Sequence, residues 1–176
     1  MSVFNYYPKI SYKVDSIDSL KAIDITTSVK MKDFLKTYRG ISYSPYVVRD
    51  GERPDTVSSR IYGTPGYDWI IMLANDIYDI YDDWPKDSET LNKYIIEKYG
   101  SLASALSTVK YYYDSKGNII DFTTWSNLSA SLRNSESEYQ YEVRINTNKS
   151  KIKLVKPIFI PAIDNALKSI VTKPIL

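Results

Sequence analysis

The sequence predicts an α+β chain, and three observations carry that prediction. Helix start and stop signals recur in the first half, at Asp55-Thr56 and Gly63, at Thr64-Pro65 and Asn75, and at Asp87-Ser88 and Gly100. Short runs of β-formers, such as Tyr46-Val47-Val48 and the stretch 109–113, lie between turn residues. The chain has 176 residues, of which 43% are apolar and 25% charged, the size and composition of a folded domain with one modest core.

Residues 1–40 open with Phe4, Tyr6, Tyr7, Pro8 and Tyr12 and keep neither a period of two nor one of 3.6, so they read as an extended N-terminal arm. Residues 41–105 form the expected core with a following helix. A strand over 43–49 runs into the Asp50-Gly51 turn. Asp55 is positioned to cap a helix over 56–62, in which Val57 and Ile61 share a face and Gly63 is the left-handed stop. Thr64 and Pro65 then start a second helix that buries Trp69, Ile70 and Leu73 and ends near Asn75. After an irregular acidic and aromatic loop over 76–84, Asp87 or Ser88 caps a third helix with the stripe Leu91, Tyr94, Ile95 and Tyr99.

Residues 106–137 read as a hairpin, 109–113 with 119–123 around a glycine-containing loop, followed by a polar, serine-rich linker over 126–137. In residues 138–176, Tyr139, Tyr141, Val143 and Ile145 alternate with polar neighbours, as do Ile152 and Leu154. This predicts a C-terminal β-hairpin with one wet face. A last helix opens at Pro161 and carries Ile163, Ala166, Leu167 and Ile170.

Composition restricts function. There is no His and no Cys, so the commonest general base, the commonest metal ligand, disulfides and thiol nucleophiles are all absent. A net charge of +2 with interspersed signs creates no field that selects nucleic acid or an anionic membrane. The N-terminus has no basic region followed by an apolar stretch, so no export signal is expected, and no apolar run approaches bilayer-spanning length. Neither a nucleophile elbow nor a phosphate-binding glycine loop is present, and no cofactor is implied.

Four features of the sequence are candidate sites. Asp76, Asp79, Asp82 and Asp83 lack the glycine and glutamate spacing of a calcium loop and read as a solvated acidic loop. Gly63-Thr64-Pro65-Gly66 has the GxxG spacing of a nucleic-acid clamp but no Lys or Arg inside it. Lys149, Lys151, Lys153 and Lys156 make a basic stripe, read as the soluble outer face of a strand. The excess of tyrosine, 17 with three Trp beside them, suits protein interfaces, because these rings offer large contact area with few rotatable bonds. The candidate partner contacts are Tyr6 and Tyr7 of the arm, Tyr67 at the helix corner, and Tyr78, Tyr81 and Trp84 of the loop.

Pro54-Asp55-Thr56, Ile61-Tyr62-Gly63 and Asn75 together resemble a LysM module, a small βααβ unit. A wider set adds Asp50-Gly51-Glu52-Arg53-Pro54, Trp69-Ile70-Ile71, Leu73 and Asp83-Trp84-Pro85. With Tyr7-Pro8, Tyr12, Asp24-Ile25 and the 152–157 segment, the chain resembles the baseplate wedge protein 53 family of contractile-tailed bacteriophages. That resemblance implies a LysM-like core in a virion protein of the inner tail baseplate, assembled in the host cytoplasm. It further implies binding to other baseplate wedge proteins, both core-bundle proteins and inner-baseplate neighbours, in several copies around a six-fold ring, with no reaction and no cofactor. The alternative is a LysM-type peptidoglycan-binding module. Such modules follow their Asn with a Pro-Gly-containing loop and an apolar second strand, where this chain has 76–85.

Overall fold

A computed structural model describes residues 6–14, 17–23, 35 and 40–171. Helices and short strands mix throughout, as an α+β chain requires. Phe4 and the Asp24-Ile25 pair lie outside the described residues. Two compact units are present. The first comprises Met1–Val48, Glu52–Asp83 and Ile152–Leu176, and the second Arg49–Gly51 and Trp84–Lys151.

In the first unit, the expected arm contains a hairpin. Strands β1 (Lys9–Val14) and β2 (Ile17–Ile23) pair antiparallel, Lys9 opposite Ile23 and Tyr12 opposite Leu20, with a register shift between Tyr12 and Val14. Backbone pairing supplies what side-chain periodicity did not signal. Strand β3 (Tyr43–Val47) leads to helix α1 (Pro54–Tyr62). Asp55 is not its cap. Arg53 takes that position and Pro54 the first turn, since proline's fixed φ fits a helix start and its missing N–H costs nothing there. Gly63 closes α1 at φ 76°, donating its N–H to the Ser59 carbonyl, the left-handed geometry that glycine adopts without strain.

Thr64 caps a single 3₁₀ turn (Pro65–Tyr67), which continues into α2 (Asp68–Ala74). The Ser58 hydroxyl, fully buried, donates to the Thr64 carbonyl at 2.6 Å and accepts from the Tyr67 N–H at 3.2 Å. The GxxG segment is thus a helix corner sealed by a serine.

The chain returns to this unit through β7 (Lys151–Val155), which pairs with β3, and then a 3₁₀ turn (Pro157–Phe159) and the last helix of the fold, α7 (Ile160–Val171). Ile163, Leu167 and Val171 fall one turn apart and join Tyr6, Leu35, Trp69, Ile70, Ala74, Val155 and Ile160 in one apolar cluster.

Order along the chain is therefore strand, helix, helix, strand, with 76–150 placed before the second strand. Asn75 marks the junction. Its side-chain amide donates to the carbonyls of Ile71 and Lys153, and its oxygen accepts from the Lys153 N–H, each at 2.8 Å. The second strand that the sequence did not show after Asn75 lies far downstream, held by Asn75 itself.

The second unit begins with α3 (Ser88–Tyr99), where the Asp87 carboxylate accepts from the Thr90 N–H at 2.8 Å and Gly100 ends the helix. Helix α4 (Leu102–Ser107) follows, then β4 (Val109–Tyr113) and β5 (Ile119–Ile120) in the expected hairpin. Helix α5 (Phe122–Ser126) takes up residues assigned to the second strand of that hairpin.

Two expectations are corrected in this unit. The serine-rich 126–137 is not a linker, because its end is strand β6 (Asn134–Ser137), which pairs antiparallel with β4 and makes β4 the central strand. The Trp125 indole donates to the Asn134 carbonyl, and the Arg133 guanidinium, over the Trp125 ring, donates to the Leu128 and Ser126 carbonyls. These side-chain bonds, together with the pairing to β4, replace a hydrophobic pattern. The C-terminal hairpin also fails in its first strand, since 138–150 is helix α6 (Glu138–Ser150), opened by a capping box between Ser137 and Gln140. On a helix, Tyr139 and Val143 share one face and Tyr141 and Ile145 the opposite one. All four are half-buried, because α6 packs against α3 and α4 and against β4 and β6.

Candidate assembly surface

The loop after α2 is built to hold its backbone still. Asp76 takes a left-handed φ of 54°, and Ile77, buried, donates its N–H to the Met72 carbonyl at 3.0 Å. One Asp83 carboxylate oxygen accepts from the N–H groups of Tyr78 and Asp79, both at 3.0 Å, while Asp79 accepts from the Tyr81 N–H at 2.8 Å. Asp83 also donates its own N–H to the Asp79 carbonyl at 2.7 Å. Asp79 and Asp83 thus serve as internal turn partners, the use for which short Asp side chains are suited. Among the described residues, no group of three or more His, Cys, Asp or Glu could hold a metal ion.

Held this way, the loop projects Tyr78 (63% exposed), Ile80 (36%) and Tyr81 (82%). Exposed aromatics on an ordered backbone lose little entropy when they are covered.

The other predicted contacts are placed differently. Trp84 is buried. Tyr6 is buried in the first unit's core, where its hydroxyl donates to Asp164 and the Lys168 ammonium lies 5.0 Å from its ring centroid. Burial first, and then the Asp164 carboxylate, push that hydroxyl well above the ordinary tyrosine range. Lys168 closes the trio, donating to Asp164 at 2.7 Å. Tyr7 and Tyr67 are half-buried against the same core, Tyr67 edge-on to Tyr62 at 6.3 Å. Tyr62 donates to the Val155 carbonyl at 2.9 Å, and burial raises its hydroxyl to about 12.

The lysine stripe divides. Lys149 lies in the last turn of α6, while Lys151 and Lys153 alternate on the exposed face of β7. The Lys153 ammonium sits 5.2 Å from the Tyr43 ring centroid.

In the second unit, two carboxylates are buried with partners. Glu142 accepts from Lys98 at 2.9 Å and from the Tyr99 hydroxyl at 2.7 Å. Glu136 receives a two-pronged Arg144 guanidinium at 2.6 and 2.9 Å and the Tyr113 hydroxyl at 2.7 Å. The Arg144 bonds hold the Glu136 carboxyl below the ordinary glutamate value of 4.5, with Tyr113 adding to the effect. A carboxyl depressed on folding contributes stability that is complete above its unfolded pKa and lost as pH falls through the folded one. Glu136→Gln is therefore expected to lower the urea midpoint at pH 7, with the gap to wild type closing as pH drops below 4.5. A gap that stays constant with pH would assign the loss to packing instead.

Composition alone did not point to the aromatic group Tyr112, Phe122 and Trp125, whose ring centroids lie 4.8 to 5.9 Å apart. The spacing of Phe122 and Trp125 by three residues was its only sequence signal. No helix among the described residues is long and apolar enough to cross a membrane.

A family model described as base plate wedge protein 53 matches residues 2–155. A stretch of 118 residues, 65% of the chain, is 25% identical to the baseplate wedge protein gp53 of Enterobacteria phage T4. The match covers 59% of that protein's own length, less than two thirds of it.

Proposed function

Because the chain belongs to the base plate wedge protein 53 family, whose members are structural proteins and not enzymes, we propose that it binds neighbouring wedge proteins and holds the inner ring of a phage tail baseplate together. On this reading its place is the virion tail, and its work is adhesion.

The observation that carries the reading is the 76–83 loop, a turn in which Asp79 and Asp83 accept hydrogen bonds from the loop's own backbone and Tyr78 and Tyr81 are exposed. Those two rings are the proposed primary contacts. Tyr7 and Tyr67, half-buried, are proposed as secondary contacts, while Tyr6 and Trp84 are buried. Arrangement in several copies around a six-fold ring is part of the same proposal.

Co-expression with the other baseplate wedge proteins of the same virion tests it. Tyr81→Ala is expected to weaken the complex by about 2 kcal/mol, roughly 30-fold, the loss typical of a central aromatic contact. Since the side chain is exposed, the isolated chain should keep its urea midpoint. Undiminished co-purification of the variant would remove the loop from the interface.

A second reading, peptidoglycan binding, is favoured by one observation. The strand–helix–helix–strand order is complete once β7 is counted, with Asn75 tied to Lys153. Saturable binding to purified sacculi, lost on substitution at the 63–67 corner, would support it over the assembly reading.

A further inference from the structure

We infer that the neighbour met by the 76–83 loop is a second copy of this chain, with the loop of one copy seated on the outer face of the β3–β7 pair of the next. The inference rests on the assembly reading of the loop and names its partner.

The loop surface has a defined chemistry. Tyr78, Ile80 and Tyr81 are exposed apolar side chains, and the exposed carboxylates Asp76, Asp79 and Asp82 are interleaved with them along the loop. A matching surface needs an apolar strip bordered by cations, since opposite potentials steer the encounter and reject partners of like charge.

The chain carries such a surface itself. Along β3, the alternation of the strand puts Tyr43, Pro45 and Val47 on the exposed side, Val47 at 64%. Lys153 extends over the Tyr43 ring, so this apolar strip and the exposed lysines of β7 share one face. Lys156, also exposed, continues the pairing, its N–H donating to the Ser42 carbonyl at 3.0 Å. Both surfaces belong to the first unit, and Asn75, one residue before the loop, is bonded to the backbone of Lys153. The Tyr81 ring, at 82%, and Val47 are both exposed. A head-to-tail contact of this kind generates a ring when its rotation closes. Nucleic acid is the poorer match for the lysines, because the unit that carries them also carries the acidic loop, which repels phosphate.

One loop on one strip is a small interface, so association of the isolated chain should be weak and strengthened by multivalency in an assembly. Sedimentation equilibrium of the full chain, at concentrations up to the order of hundreds of micromolar, reads it directly. Wild type should self-associate, and less so in high salt. A loop variant, Tyr81→Ala with Asp82→Lys, and a face variant, Lys153→Glu with Lys156→Glu, should each be monomeric alone. Mixed in equal amounts they should form a heterodimer, because the first keeps the face and the second keeps the loop. Recovery in the mixture also shows that both variants are folded.

A monomeric wild type overturns the inference, as does wild-type association by either variant alone or a mixture that stays monomeric. If wild type is monomeric yet Tyr81→Ala still loses the wedge proteins, the partner assignment fails and the assembly reading stands. If the mixture associates but the wedge proteins bind the loop variant normally, the assembly reading of the loop fails instead. Retention of single-stranded DNA by wild type but not by the face variant, without self-association, would reassign the lysines to nucleic acid.

Discussion

Leu167→Ala is expected to destabilise the first unit by about 2–5 kcal/mol, the range for emptying a fully buried leucine site. Leu167 has no exposed surface and sits in the cluster of Tyr6, Trp69, Ile70, Val155 and Ile163. Its helix contributes Ile160, Ile163, Leu167 and Val171 to that core, although the family match ends at residue 155. The core cannot close over the substitution easily, because its neighbours are ring and branched side chains already packed on one another. Ile170→Ala, on the same helix with a partly exposed side chain, is the control and should cost much less. Urea unfolding followed by tryptophan fluorescence compares the two. Equal losses at both positions would mean that α7 is not seated by its 163–167–171 face.

Asn75 comes next in expected effect. Asn75→Asp should cost about 1–3 kcal/mol, and at neutral pH at least as much as Asn75→Ala. The amide donates to two carbonyls and accepts one N–H, each at 2.8 Å. Alanine deletes all three bonds and lets water reach the exposed Lys153 backbone. Aspartate retains the acceptor but turns a negative oxygen toward the carbonyls of Ile71 and Lys153. The new carboxyl should titrate above the ordinary aspartate range, so the Asp variant should regain stability as pH falls and its protonated oxygen can donate. Urea midpoints at pH 7 and pH 4 for the three proteins decide this. An aspartate variant as stable as wild type at pH 7 would show that the amide donor does not tie α2 to β7.

What could be read in advance follows how local each interaction is. The Gly63 and Gly100 stops, the Asp87 cap and the β4–β5 pairing each depend on a few neighbouring residues, and all were legible. The Tyr139 to Ile145 alternation misled, because on a helix packed on two sides it marks opposite apolar faces as readily as the two faces of a strand. For β6 there was no pattern to read at all: Asn134, Ser135, Glu136 and Ser137 become a strand through pairing with β4 and an ion pair to Arg144.

The candidate surface divides the same way. Tyrosine excess and an acidic, aromatic loop at 76–84 were visible as sequence, but which rings face outward was not. Tyr78 and Tyr81 stay exposed because Asp79 and Asp83 bond the backbone beneath them, whereas Tyr6 is drawn inward by Asp164, a residue at the other end of the chain.

By itself the sequence determined the α+β class, the helix corner around Gly63, the lack of His and Cys chemistry, and the family resemblance, all properties of residue identity at short range. Only the tertiary structure decided that the strand partner of β3 arrives after residue 150, that Asn75 secures it, and that the loop and the lysine face belong to one unit. Those features depend on contacts between residues far apart in sequence, whose closure entropy is offset by the assembled core and not by any local signal.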